Sequence, residues 1–454
     1  MNDTIVAIST AMGIGAISIV RLSGPEAIAI ANSCFKGKDL EQVQSHTIHY
    51  GYIYDKEITN LIDEVLVSVM KAPKTYTSED IVEINCHGGI ITTNKILETM
   101  IQHGARLAEP GEFTKRAFLN GKIDLIKSEA IMDLIESKSE ESRKIALNQI
   151  SGSTSTLITE FRDRLKNLLS SIEVNIDYPE YYDIEVVTEN KIQSEITTMK
   201  DQLLKLIENS ESISTLKRGI NTVIIGKPNV GKSSILNKLL LKDKAIVTDI
   251  AGTTRDIVEG EVSIDGVLLN IIDTAGIRDT EDVVEKIGVE KSISMIEEAD
   301  LVIVVLNSNE LLSDEDKIIL EKTKEKQRII VLNKNDLEKN IILPENIDLN
   351  TIIETNTMEN NGIDKLKNKI KELFQLEKIK TKDYTSLSNV RQITLAKKAY
   401  ESLVDAEKSV ANNQPVDIVE IDLKECFDFL GEIIGENYSE EIIDNLFKNF
   451  CVGK

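Results

Sequence analysis

Residues 226–234 read GKPNVGKSS, directly after the β-branched run NTVII and leading into ILNKLLL. A buried strand that breaks at glycine and gives way at once to a helix is the setting in which G-x-x-x-x-G-K-S cradles phosphate. Backbone N–H groups between Gly226 and Lys232 can turn inward toward phosphate oxygens, and the following helix adds the positive end of its dipole. Lys232 supplies a full charge, and Ser233 a hydroxyl of the kind that ligates Mg2+.

Three further motifs follow in chain order. AGTTRD (251–256) holds the threonine with which a switch segment senses Mg2+ and the γ-phosphate. DTAG (273–276) ends the run LLNIID, with Asp273 set for a metal-bound water and Gly276 for the γ-phosphate. NKND (333–336) ends RIIVL, and a carboxylate at Asp336 can accept two guanine N–H donors, a pairing adenine cannot offer. Between about residues 217 and 375, continuous apolar strands alternate with helical runs, the pattern of a parallel sheet covered on both faces. Together these features imply a Ras-like P-loop GTPase domain. Ras-type enzymes follow DTAG with a water-orienting Gln. Here the residue is Ile277, so another group must do that work, and RDTEDVVEKIG offers carboxylates that read equally as a solvated helix face. Asn229 inside the loop can hold a monovalent cation beside the phosphates, or simply favour the turn.

The flanks differ in texture. Residues 1–118 mix short strands with glycine turns, an α+β pattern, and 119–216 carry apolar residues at three- and four-residue intervals, interrupted near Pro179. Residues 376–454 are helical again, so the α/β domain (217–375) reads as an insertion that makes the helical domain discontinuous. The net charge is −23 with pI near 4.8, which opposes stand-alone nucleic-acid binding. Residues 401–450 alone carry 13 acidic and 3 basic side chains. The four cysteines, Cys34, Cys86, Cys426 and Cys451, form no C-x-x-C pair, which argues against structural zinc and disulfides and fits a reducing cytoplasm. No apolar run is long enough to span a membrane, and the N-terminus has no signal pattern.

GKPNVGKSS, TDIAGTTRD, DTAGIR followed by VEKIG, and the final CVGK are together similar to the MnmE (TrmE) family of tRNA modification GTPases. DTIVAIS, SIVRLSG, EINCHGG and PGEFTKRAFLNGKIDL match as well, so the resemblance covers the whole chain. It implies a folate-binding, dimerising N-terminal domain. It also implies a K+-dependent GTPase whose domains associate across a homodimer, and a heterotetramer-type complex with the flavoprotein MnmG, which carries FAD. That complex adds an aminomethyl-type group from a tetrahydrofolate one-carbon donor to C5 of the wobble uridine. By the acidity above, tRNA is expected to be held mainly through the partner.

Carried over by position, Arg21, Glu83, Lys122 and Lys454 are the expected folate residues, and Cys451 a covalent or acid–base participant, read otherwise as an ordinary exposed thiol. Val230, Gly231 and Ser234, then Thr248, Asp249, Ile250, Ala251 and Gly252, then Thr274, Ala275, Asn333 and Lys334 complete the expected GTP contacts. K+ would take Asn229, Thr248, Ile250 and Thr253, and Mg2+ Ser233 and Thr254, while Glu285 would orient water and Arg278 matches a family arginine. The last guanine motif, usually Ser-Ala-Lys, falls near Asn356-Thr357-Met358, and Val452 replaces an Ile. His87 reads as catalytic or as a turn residue, and Cys34, Cys86 and Cys426 as packing residues. The alternative is a ribosome-assembly-type GTPase switch without folate chemistry, which shares the phosphate-loop motifs but not CVGK. A third reading makes the N-terminal domain a dimerisation module whose folate binding is vestigial.

Overall fold

The computed structural model describes residues 3–177, 189–242, 260–264, 267–273, 295–344, 347–356, 361–374, 385–438 and 440–453. They fall into two compact units, Met1–Ile135 with Asn148–Leu203 and Thr394–Lys454, and Glu136–Leu147 with Leu204–Ile393.

In the first unit, the N-terminal runs form β1 (Ile5–Ile8), β2 (Ile17–Ser23), β3 (Phe35–Lys36), β4 (Thr47–Tyr54), β5 (Leu61–Met70), β6 (Ile81–His87) and β7 (Arg106–Leu107). They pair in the order β3-β4-β5-β6-β2-β1-β7, antiparallel except for β1–β7. Side chains alternate across such a sheet. Val20, Leu22, Val65, Val67, Val69, Val82 and Ile84 are buried on one face beneath the helices Ala27–Cys34 and Ile90–Gln102, whose Ile30, Cys34, Ile96 and Met100 close the core. The other face leaves Ile17, Tyr50 and Leu66 exposed. On it the β2–β6 register sets Arg21 directly opposite Glu83.

The helices Ser153–Asp177 and Val416–Ile434 of this unit pack through Arg162, whose guanidinium lies 4.1 Å from the Phe427 ring centroid and pairs with Glu436 at 2.6 Å. Gly431 opposite has no side chain, and a Cβ there would stand 3.2 Å from an Arg162 nitrogen. A separate apolar cluster joins Leu125 to Ile443 and Phe447 of the helix Glu440–Phe447, with Phe118, Tyr438, Leu446 and Phe450 around it.

The second unit holds the sheet β13-β12-β11-β8-β10-β9, made of β8 (Ile220–Ile225), β9 (Gly260–Ile264), β10 (Val267–Asp273), β11 (Leu301–Asn307), β12 (Arg328–Asn333) and β13 (Ile352–Glu354). All neighbours are parallel except the edge pair β9–β10. Every residue of β11 is buried, as a strand covered on both faces requires. The apolar clusters on the two faces are almost wholly aliphatic. The fold class read from the sequence is the one observed: an α+β sheet domain, a helical domain discontinuous in the chain, and a P-loop α/β domain inserted into it. Among the described residues no helix is long and apolar enough to cross a membrane.

Candidate functional sites

Residues 226–231 form the loop between β8 and the helix Lys232–Lys242. The turn is tight enough to need unusual backbone at three positions: Gly226 at φ 155°, Asn229 at φ 62° and Gly231 at φ 100°. A Cβ on Gly226 would stand 2.3 Å from the Val305 carbonyl, and one on Gly231 2.2 Å from the Asn333 amide nitrogen, so neither position has room for a side chain. Lys232 Nζ donates to the carbonyls of Gly226 (2.8 Å) and Lys227 (3.0 Å). Val230 is buried, whereas Asn229, Ser233 and Ser234 are exposed and open to a ligand.

Asn333 ends β12 and is buried; its Nδ2 donates to the Val230 carbonyl at 2.8 Å. This bond ties the NKND segment to the phosphate loop across 103 residues of sequence. Lys334 follows at φ 62°, and the Asn335 N–H reaches the Thr355 carbonyl at 3.3 Å, which brings the start of the expected last guanine segment beside NKND. Asp336 belongs to the turn immediately beyond. Asp273 ends β10. Thr248, Asp249, Ile250, Ala251, Gly252, Thr253, Thr254, Thr274, Ala275, Gly276, Arg278, Glu285, Thr357, Met358 and Lys454 lie outside the described residues.

In the first unit Arg21 and Glu83 form an ion pair at 2.8 Å. Arg21 Nη1 also donates to the Gly453 carbonyl at 3.2 Å, and Ser9 Oγ reaches the same oxygen at 3.1 Å. The Gly111 N–H donates to the Cys451 carbonyl at 3.1 Å. Gly453 itself sits at φ 88°, with space for no side chain beside the Ile8 carbonyl. The segment that carries Cys451 and Val452 is thus pinned beside the Arg21–Glu83 pair, with both side chains exposed. Lys122 Nζ donates to the Thr75 carbonyl. The Tyr76 ring centroid lies 5.9 Å from both Arg21 Cζ and Lys122 Nζ, and its hydroxyl shares a hydrogen bond with Thr114 at 2.8 Å. Burial raises the Tyr76 phenol above its ordinary value, so the ring stays neutral between two cations.

Beneath this site, the fully buried Arg116 binds Asp3 (2.9 Å), Glu112 (3.1 Å) and Glu79 (3.2 Å), and Arg106 shares Asp3 and Glu112. Burial pushes the Glu112 carboxyl up, but hydrogen bonds from Arg106, the Glu109 N–H and Arg116 outweigh it and hold the group below its usual range. Glu79 also accepts from Ser23 at 2.8 Å, which anchors the 75–80 loop that presents Tyr76. His87 ends β6 with its Nδ1 donating to Asp63 at 2.7 Å, and that bond raises its pKa; the imidazole remains largely exposed. Cys34 and Cys86 are in the sheet core and Cys426 is buried in its helix; burial pushes the Cys34 thiol up to about 12. Tyr76 and Arg116 escaped the sequence reading. Arg116 lay inside the quoted stretch PGEFTKRAFLNGKIDL, and nothing in KTYTSED marked Tyr76.

Residues 4–122 match the model of the GTP-binding protein TrmE N-terminus, and residues 125–451 that of the MnmE helical domain. The chain belongs to the MnmE family. A protein of Bacillus licheniformis named tRNA modification GTPase MnmE is 51% identical, with 100% of both chains covered. One of the same name from Staphylococcus haemolyticus is 50% identical over 100% of this chain and 99% of its own. Among solved structures, the G domain of the T. maritima FeoB iron transporter is similar at 27% identity, covering 34% of this chain and 98% of that one, with a TM-score of 0.24.

Proposed function

We propose that the chain is a GTP hydrolase taking part in tRNA modification, in the way the MnmE family's name describes. In this reading it works with the flavoprotein MnmG to add an aminomethyl-type group to C5 of the wobble uridine of certain tRNAs. The observation that carries the reading is the Gly453 carbonyl on Arg21, beside Glu83. A binding switch for ribosome assembly has no use for the 451–453 segment held against a partly buried ion pair, and this arrangement supports a folate pocket instead.

The side chains fit a reduced folate. Glu83 offers acceptors, and Arg21 a donor fork, to an aminopyrimidinone ring, while Lys122 and Lys454 offer ammonium groups to its carboxylates. The folate supplies the one-carbon unit, and FAD belongs to the partner. Cys451 presents an exposed thiol at this site for covalent or acid–base work.

In the nucleotide domain, Lys232 and the loop N–H groups take the phosphates, Asp336 the guanine edge, and Ser233 with Thr254 Mg2+. The exposed amide of Asn229 fits a K+ ligand alongside Thr248, Ile250 and Thr253. The ion supplies positive charge beside the β- and γ-phosphates. Glu285 orients the attacking water. The exposed Ile17, Ile48, Tyr50 and Leu66 on the outer face of the N-terminal sheet support self-association. Titration calorimetry of the purified chain with tetrahydrofolate tests the reading. Binding that is lost in Arg21→Ala while GTP binding persists is the expected result; no binding by the wild type would return the assembly-switch alternative.

A further inference from the structure

Lys227 is a second lysine in the phosphate loop, and its charge is turned away from the cradle. Its Nζ lies 2.6 Å from Glu310 Oε2 and 3.6 Å from Asp316 Oδ2, with only 17% of the side chain exposed. Glu310 uses its other oxygen to accept from Asn307 Nδ2 at 2.9 Å, and Asn307 is the last residue of β11. Asp316 is buried and held by the capping box that it makes with Ser313 at the start of the helix Asp314–Lys322. The hydrogen bond with Glu310 raises the Lys227 pKa and lowers that of Glu310, so both are charged across the ordinary pH range.

The backbone of Lys227 has a separate task. Its carbonyl accepts from the Lys232 ammonium, as does that of Gly226, whose missing Cβ lets it rest on the Val305 carbonyl of β11. These two carbonyl acceptors are therefore fixed from β11, one by backbone packing and one through the Lys227 side chain.

We propose that the Lys227–Glu310 ion pair is a latch that aims Lys232 at nucleotide phosphate, so that Lys227 and Glu310 are positioning residues for nucleotide binding. The inference rests on the reading of residues 226–234 as a phosphate cradle. Opening the latch frees the Lys227 peptide to turn, and Lys232 loses the guidance of that carbonyl before phosphate arrives. A partly exposed ion pair of this kind implies a change in affinity of about two- to fivefold.

The test is calorimetric titration of the full chain with GDP, comparing wild type with Lys227→Met, Glu310→Ala, the double variant and Lys227→Arg. Thermal unfolding of each nucleotide-free protein is recorded alongside. The inference expects each single truncation to weaken GDP binding by about two- to fivefold, the double variant to be no weaker than the worse single, and Lys227→Arg to stay near wild type. Rescue by arginine separates positioning from general damage, because arginine keeps the charge and the reach. Unchanged affinity in both single variants overturns the inference and leaves the cradle standing, as do additive losses. A wild-type chain that does not bind GDP overturns the cradle reading and this inference with it.

Discussion

Gly453 has a φ of 88°, and an added methyl would stand 2.4 Å from the Ile8 carbonyl. Substitution to alanine must therefore lift the peptide that Arg21 and Ser9 hold. We expect Gly453→Ala to weaken tetrahydrofolate binding by roughly tenfold, the scale of one strained backbone position, while GTP binding and the melting temperature stay near wild type. Calorimetry with each ligand reads the difference. At the other site, Glu285→Ala should slow GTP hydrolysis by about a hundredfold, as removal of a water-orienting group does, with GDP affinity within twofold of wild type. Single-turnover hydrolysis alongside a binding titration decides it; lost binding would assign Glu285 to nucleotide contact.

At the scale of elements, Asn333 braces the end of β12 against the phosphate loop through the Val230 carbonyl. Asn333→Ala leaves that buried oxygen without its donor, a cost of about 1–3 kcal/mol. It should lower both stability, in chemical denaturation, and GDP affinity. The Arg116 cluster joins the segment before β1, the 75–80 loop and the helix Glu112–Leu119. Glu112 has a folded pKa below its ordinary 4.5, so its contribution to stability is fully present above that value and is lost as pH falls through the folded pKa. Wild type should accordingly lose more stability between pH 7 and pH 4 than Glu112→Gln does, as measured by denaturant melts at the two pH values.

These elements also mark what the sequence reveals. The phosphate loop and NKND were legible because each sits where an apolar run ends in glycine or asparagine, and local periodicity fixes both strand and turn. The pairing of Arg21 with Glu83 follows from an antiparallel register that no local pattern states, and Gly453 reaches Arg21 from 432 positions away. Neither contact entered the sequence reading; Arg21 and Glu83 were named there as folate residues through family resemblance alone. The burial of Arg116 ran against expectation for so strongly charged a residue, since arginine goes inside only when paired, and its partners come from three separate segments.

Across the whole molecule the charge is −23, with the acidic excess marked in residues 401–450. Such a surface disfavours direct capture of a polyanion such as tRNA. Two nucleotide domains of like charge must also approach each other if they associate during the reaction, and the proposed K+ would ease that approach locally. GTP turnover should therefore be much faster in KCl than in NaCl at equal ionic strength. Light scattering in the presence of a transition-state mimic should report association only in KCl. Equal rates in the two salts would remove the cation from the mechanism.

The phosphate loop is suspended at both ends, from β11 through Val305 and Glu310 and from β12 through Asn333. A loop tethered in this way is already in its working shape when the chain has folded, so the entropy of ordering it belongs to folding rather than to ligand capture. Association of a nucleotide with the cradle is then a single encounter, rising in proportion to nucleotide concentration without a plateau. Discrimination among nucleotides falls to how long each one stays.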